Sequence, residues 1–159
     1  MRRLHKTIFE IGWSRTVPRL AETDTAWQAL DLMRSEAHDC VLVLKGDKLA
    51  GIFTSRDFLN RVIAEKRDPK ATTLGQVMTP TPRTLQARDE VAFAINWMAV
   101  EGFRNVPIVD SQGSPLGVLT VFDVMGMLQA LLDDIAENPR ENLGEFSSVS
   151  KVFDIGGGG

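Results

Sequence analysis

Residues 51–57 read GIFTSRD and residues 117–123 read GVLTVFD. Each has a glycine, two apolar residues and a threonine, with an aspartate three positions after the threonine. The apolar pair suits the last residues of a strand, and Thr-x-x-Asp suits the first turn of a helix. A threonine hydroxyl there accepts from a free backbone N–H, while the carboxylate reaches back to the N–H of the capping residue. Both stretches therefore read as a strand turning into a helix. Gly51 and Gly117, lacking side chains, let a neighbouring strand or a ligand come close.

Working upstream, each stretch is preceded by the same pattern. CVLVL (40–44) and NVPIV (105–109) are short apolar runs. Polar turns follow, KGDK and DSQGS, then second apolar runs, LAGIF and LGVL. Two such runs around a glycine-containing turn predict a β-hairpin. Pro107 inside its run predicts an edge position or a strand's beginning, because proline donates no ladder hydrogen bond. Further upstream, RLAETDTAWQALDLM (19–33) falls on TLQARDEVAFAINWM (84–98), matching Leu20 with Leu85, Asp24 with Asp89, Ala29 with Ala94 and Met33 with Met98. The repeat period is about 65 residues, found by sliding the chain against itself. Ala26, Ala29, Leu30 and Met33 recur at helical spacing, as do Val91, Ala94, Ile95 and Met98. Asp24 and Asp89 stand where these helices begin and are the expected N-caps. Second helices are expected over 55–65 and 121–135.

The fold expected is α+β, two βαββα repeats in one chain. Its parts are an N-terminal segment 1–14, repeat one 15–65, a polar linker 66–80, repeat two 81–135 and a flexible acidic, glycine-ended tail 136–159. In that tail Val149, Val152, Phe153 and Ile155 are the residues able to dock on something. The helix after the second hairpin carries apolar side chains almost all round: Val121, Val124, Met125, Leu128, Leu131 and Leu132 among them. An amphipathic surface helix would keep a polar face. A homodimer through the repeat helices is the expected reason.

Composition narrows the functional classes. The chain has 159 residues, 43% hydrophobic and 25% charged, with a formal net charge of −3. That balance gives no reason to expect nucleic acid or an anionic membrane as partner. Cys40 is the single cysteine and His5 and His38 the only histidines, so neither an intrachain disulfide nor a Cys/His metal site is expected. The start MRRLHKTIFEIGW lacks the apolar core of a secretory signal, and no run is long enough to span a bilayer. A cytoplasmic protein is expected. No G-x-S-x-G, P-loop or G-x-G-x-x-G occurs, so an enzyme is not expected and no cofactor is required.

GIFTSRD, VMTPTPRTL and RNVPIVDSQGSPLGVLTVFD together resemble the tandem cystathionine-β-synthase (CBS) domain pair, or Bateman module, in its stand-alone bacterial-type form. The resemblance covers residues 13–132, and two ordered copies make it far more specific than one Gly-h-h-Thr-x-x-Asp. It implies pseudo-two-fold symmetry, sheets packed together with helices outside, and clefts between the repeats. It also implies a regulatory role exercised on an effector protein, here unknown, and a ligand containing adenosine: AMP, ADP, ATP or S-adenosylmethionine.

Spacing alone favours Thr54–Asp57 and Thr120–Asp123 as capping boxes. The resemblance adds a ligand role, in which the aspartate accepts from both ribose hydroxyls and the threonine contacts ribose or phosphate. An ionised carboxylate offers the two acceptor oxygens that a vicinal diol needs. Family geometry places Thr54, Arg56 and Asp57 in one cleft with Met78, Thr79, Arg83, Phe103 and Arg104. Its guanidinium groups suit phosphate. The other cleft would join Thr120 and Asp123 to Trp13, Pro18, His38 and Asp39, with Phe122 in place of Arg56. Being poorer in cations, it is expected to be empty or to hold a less charged ligand. Against these roles stand plainer ones: solvated arginines, core aromatics, a structural His38 and a buried Cys40. A structural dimerisation module that binds nothing is the rival reading.

Overall fold

Period-two alternation decides how the first hairpin lies. In β2 (Cys40–Lys45) and β3 (Lys48–Thr54), Val41, Val43 and Phe53 share one core cluster, while Cys40, Leu42 and Ile52 share another. Successive side chains point to opposite faces of a strand, so a hairpin apolar on both sides must be covered on both. One face is covered by helix α2 (Ala26–Ser35) and by α3 (Ser55–Asp57), which runs on as a π-helical segment, Phe58–Ile63. Val118 of the second repeat packs on the other face. The architecture is thus α+β, with two sheets packed together and helices outside. The computed structural model describes residues 5–137. The expected docking residues of the tail, Val149 to Ile155, lie outside that range.

The first sheet runs β1-β2-β3-β4, with β1 (Arg19–Ala21) parallel to β2 and β4 (Thr79–Pro80) antiparallel to β3. The second pairs β5 (Asn105–Val109) with β6 (Pro115–Thr120). Its flanking positions shrink to single bridges, Leu85 to Ile108 in parallel and Ser14 to Val118 in antiparallel sense. The strand order is the same in both halves, which is the predicted duplication. Pro107 lies mid-strand, and its carbonyl accepts from Leu85 N at 3.1 Å. Its nitrogen therefore faces away from β6, on the sparsely paired side where a missing donor costs little.

The expected helix caps need correcting by one residue. Thr25 caps α2: its hydroxyl accepts from Gln28 N at 3.2 Å, and Gln28 Oε1 accepts from Thr25 N at 2.8 Å. The residue before α5 (Val91–Glu101) is Glu90, with no side-chain cap bond. Asp24 instead accepts from Ala21 N, and Asp89 from Gln86 N, both at 2.7 Å. Each carboxylate closes the tight turn between strand and helix, which leaves the cap to its successor.

The stretch expected as linker does more than connect. Within it α4 (Leu74–Val77) and β4 complete repeat one, and Leu74 and Val77 are buried in its core. In the same way α1 (Ile8–Ile11), expected as part of a leading segment, packs Ile8 into the core of repeat two. Leu74 N donates to Asp24 O at 2.8 Å, and Ile8 N to Asp89 O at 2.9 Å. Each half thus closes with a segment that precedes the other half in sequence. Helix α6 (Val121–Glu137) runs slightly past its expected end. It buries Val124, while Phe122 is 72% and Met125 57% exposed. Among the described residues, much of its apolar surface has no cover.

Two glycines make the exchange fit. A Cβ on Gly51 would lie 2.9 Å from Thr79 O, and one on Gly117 would lie 2.1 Å from Ser14 O. Gly117 also holds φ +152°, where a side chain is strained. The close approach left open by the sequence is made by neighbouring backbone. Gly117→Ala is expected to lower unfolding free energy by about 3 kcal/mol, measured by chemical denaturation. An unchanged denaturation midpoint would contradict the account.

Candidate functional site

Where β3 ends, Thr54 has extended backbone and its successors turn into α3. Thr54 N donates to Asp57 Oδ2 at 2.9 Å and Thr54 Oγ1 to the same oxygen at 3.0 Å. Asp57 N donates back to Thr54 Oγ1 at 3.2 Å. The second copy repeats the arrangement, with 2.7 Å for both bonds to Asp123 Oδ2 and 3.2 Å for the return. Both capping boxes predicted from spacing are complete.

This geometry limits what Asp57 has left to offer. A carboxylate has about four lone-pair directions over two oxygens. Thr54 takes up those of Oδ2, so a ligand hydroxyl must use Oδ1. Arg61 Nε stands 3.5 Å from Oδ1. Asp57's side chain is only 14% exposed, so this contact is less screened than a surface ion pair.

Beside it opens a cavity of about 390 Å³, within the range of small-molecule sites. Of the residues assigned to the first cleft, Thr54, Arg56, Asp57, Thr79, Arg83, Phe103 and Arg104 line it. Met78 does not: its side chain packs on the first core, against Gly51. Asp39, assigned to the other cleft, also borders this one, and its carbonyl accepts from Ser55 N at 3.0 Å. Ile52, Thr81, Pro82, Asn105 and Pro107 also line it and were not anticipated. The signal for the strand residues was available. Asn105 and Pro107 alternate with the core residues Val106 and Ile108, and so face the other repeat.

The guanidinium groups are not equivalent. Arg83 is paired with Glu101 and lies over the Trp97 ring, 5.3 Å from its centroid. Arg56 and Arg104 are exposed, and among the described residues no side-chain partner is recorded for either. Among the described residues, two positive groups on the cavity lining therefore have no ion-pair partner.

The second set does not assemble in the same way. Trp13 packs against the core of repeat two, carries Arg15 over its ring at 4.7 Å and donates to Leu116 O at 3.4 Å. Pro18 is buried, and its carbonyl accepts from Leu42 N. His38 N donates to Met33 O after α2. Asp123, with Phe122, borders a different cavity, about 730 Å³, between α1 and α6 on the helical side. Cys40 is buried as expected, and burial, with Asp39 adding, pushes its thiol up to about 12. A thiol so raised does not supply a thiolate at neutral pH.

Comparison with known proteins bears on the fold and the family. The CBS domain family model matches residues 14–64 and 74–130. A CBS domain-containing protein of Arabidopsis thaliana, CBSCBSPB1, is 33% identical over 108 residues, covering 68% of this chain and 20% of that protein. An uncharacterized protein of Methanopyrus kandleri, MK0525, is 28% identical over 120 residues, 75% of this chain and 61% of its own. The chain spans about a fifth of the length of the first Arabidopsis relatives. Among solved structures, a CBS-domain protein of Burkholderia ambifaria superposes with TM-score 0.71 at 25% identity, covering 81% of this chain and 96% of that one. A CBS domain protein of Pyrobaculum aerophilum, solved in complex with AMP, gives TM-score 0.70 at 21% identity, covering 80% and 99%. Two family matches in order, over a duplicated α+β fold, place this chain in the CBS domain family as a tandem pair.

Proposed function

We propose that the chain is a sensing module that binds an adenosine-containing nucleotide between its repeats and signals its presence to a partner protein. One observation carries the reading. A single cavity gathers the Thr54–Asp57 pair of one repeat, Phe103 of the other, and the guanidinium groups of Arg56 and Arg104, which have no ion-pair partner among the described residues. In this reading Asp57 Oδ1 accepts from the ribose, Phe103 offers an apolar face to the base, and Arg56 and Arg104 receive phosphate. Thr79 and Arg83 complete the wall. The phosphate-receiving role favours AMP, ADP or ATP over S-adenosylmethionine. The AMP complex of the Pyrobaculum protein is consistent with that choice. Thr120 and Asp123, with no arginine at the position of Arg56, are assigned no phosphorylated ligand. No helix among the described residues is long and apolar enough to cross a membrane. A cytoplasmic location would suit a ligand drawn from the cellular nucleotide pool.

A second reading is favoured by the completeness of both capping boxes. Asp57 and Asp123 are satisfied at Oδ2 without any ligand, as a purely structural module requires. The readings separate in a melting experiment with AMP, ADP, ATP, S-adenosylmethionine and cyclic dinucleotides. A ligand at a hundred times its Kd stabilises by about 2.7 kcal/mol, or roughly 5–10 °C in a domain of this size. Such a shift is expected with an adenine nucleotide. Asp57→Ala should abolish it, and Asp123→Ala should leave it. Both variants lose a cap worth about 1 kcal/mol, so the readout is the ligand-induced shift and not the melting temperature. Equal shifts in wild type and Asp57→Ala would remove Asp57 from the site, and no shift with any ligand would leave the structural reading standing.

The same module is proposed to act as a homodimer through α5 and α6. Phe93 and Val100 on α5 are exposed, as are Phe122, Met125 and Leu132 on α6. Scattered exposed apolar residues are ordinary, but a set this large on two contacting helices is not. Phe122→Glu combined with Met125→Glu should yield a monomer in sedimentation velocity, with its far-UV circular dichroism retained. A wild-type monomer at micromolar concentration would contradict the dimer.

A further inference from the structure

The two repeats share a capping box but differ one turn later. Four residues after Asp57 comes Arg61, and four after Asp123 comes Met127. Arg61 has three contacts, one local and two with a distant segment. Its Nη1 donates to Val77 O at 3.0 Å and to Met78 O at 2.6 Å, and its Nε lies 3.5 Å from Asp57 Oδ1. The two carbonyls close the C-terminal end of α4, where helix carbonyls lack partners of their own. β4 follows at once and brings Thr79 to the cavity, with Thr81 and Arg83 just beyond. One guanidinium therefore ties the candidate ligand carboxylate to a second segment of the cavity wall.

Repeat two has a gap at this place. The larger cavity is bordered by Ile11, Asp123 and Met127, which match Val77, Asp57 and Arg61 at the repeat spacing. The thioether of Met127 carries no charge to set against Asp123 and no N–H for the carbonyls after α1. The asymmetry belongs to this chain's own sequence.

We infer that Arg61 is a positioning residue that makes the Asp57 cleft, rather than its counterpart, the one able to bind. The inference rests on the nucleotide reading above. Arg61 touches no ligand. It holds Oδ1, the oxygen left over by the capping box, at a fixed place, and holds the α4–β4 wall at a fixed distance from it.

The test is isothermal titration with AMP of wild type, Arg61→Met and Arg61→Lys, together with amide hydrogen exchange at Met78 and Thr81 without ligand. These amides donate to Leu74 O and Ala50 O, the first between the clamped carbonyls and the second just beyond them. Arg61→Met, the residue repeat two carries, should weaken AMP binding roughly tenfold, the scale of one hydrogen-bonded charge contact, and speed exchange at both amides. Lysine keeps a positive charge but not the fork that spans both carbonyls and Asp57, so Arg61→Lys should fall between the two. A merely structural arginine would lower the melting temperature and leave the affinity of the folded protein unchanged. Should Arg61→Met fail to fold, Arg61→Lys decides: weaker binding supports the role, equal binding overturns it. Wild type that binds AMP beside an Arg61→Met that binds it equally well overturns the positioning role alone. Wild type that binds no nucleotide overturns the sensing reading and this role with it.

Discussion

The two backbone exchanges, Leu74 N to Asp24 O and Ile8 N to Asp89 O, are the constraint on which the rest of the molecule depends. They dock α4 on the first repeat and α1 on the second, and each docking buries apolar side chains. Burying Leu74 and Val77 contributes roughly 3–6 kcal/mol by the usual allowance for large aliphatic residues. A whole domain is stable by only about 5–15 kcal/mol. A half deprived of its borrowed segment would lose much of that margin. The cleft between the halves is therefore a consequence of how they fold, and its walls are held by the contacts that stabilise the protein.

The same economy governs Asp57. Its place in the first turn of α3 makes it the carboxylate half of a capping box, and Thr54 takes up one of its oxygens completely. What remains is a single oxygen, oriented by the cap and faced by Arg61. A carboxylate fixed in this way loses little rotamer freedom when a ligand arrives, which favours binding. Capping and ligand contact are thus compatible uses of one side chain. Asp123 has the same cap and a different neighbourhood, with Met127 and Phe122 where the first copy has Arg61 and Arg56. The duplication preserved the scaffold and left the electrostatics of the two halves free to differ.

Much of this was legible in the residues. The hairpins, the helices after them and the capping boxes follow from local rules: period-two alternation, glycine-containing turns and the reach of a hydroxyl over one helical turn. Seven residues of the first cleft were placed together through family resemblance, and one cavity gathers them. Misreadings fell where a side chain had two local uses or where long-range contact decided. Asp24 and Asp89 read as caps because aspartate favours caps, but the turn before each helix claimed them. Met78 read as a cleft residue from family geometry, but its side chain packs beside Gly51 on the first core. Asp39 was assigned to the other cleft and borders the first cavity, since its side depends on how the sheets face each other.

The sequence by itself determined the repeated unit, its secondary structure and the chemistry carried at each junction, because those depend on residues a few positions apart. Only the tertiary structure decided which segment completes which half, which distant carboxylate pairs with Arg83 and which carbonyls Arg61 reaches. Those outcomes depend on groups far apart in the chain, as when Arg83 meets Glu101 or Arg61 meets the end of α4. No local rule reports which distant partner will reach a charge first.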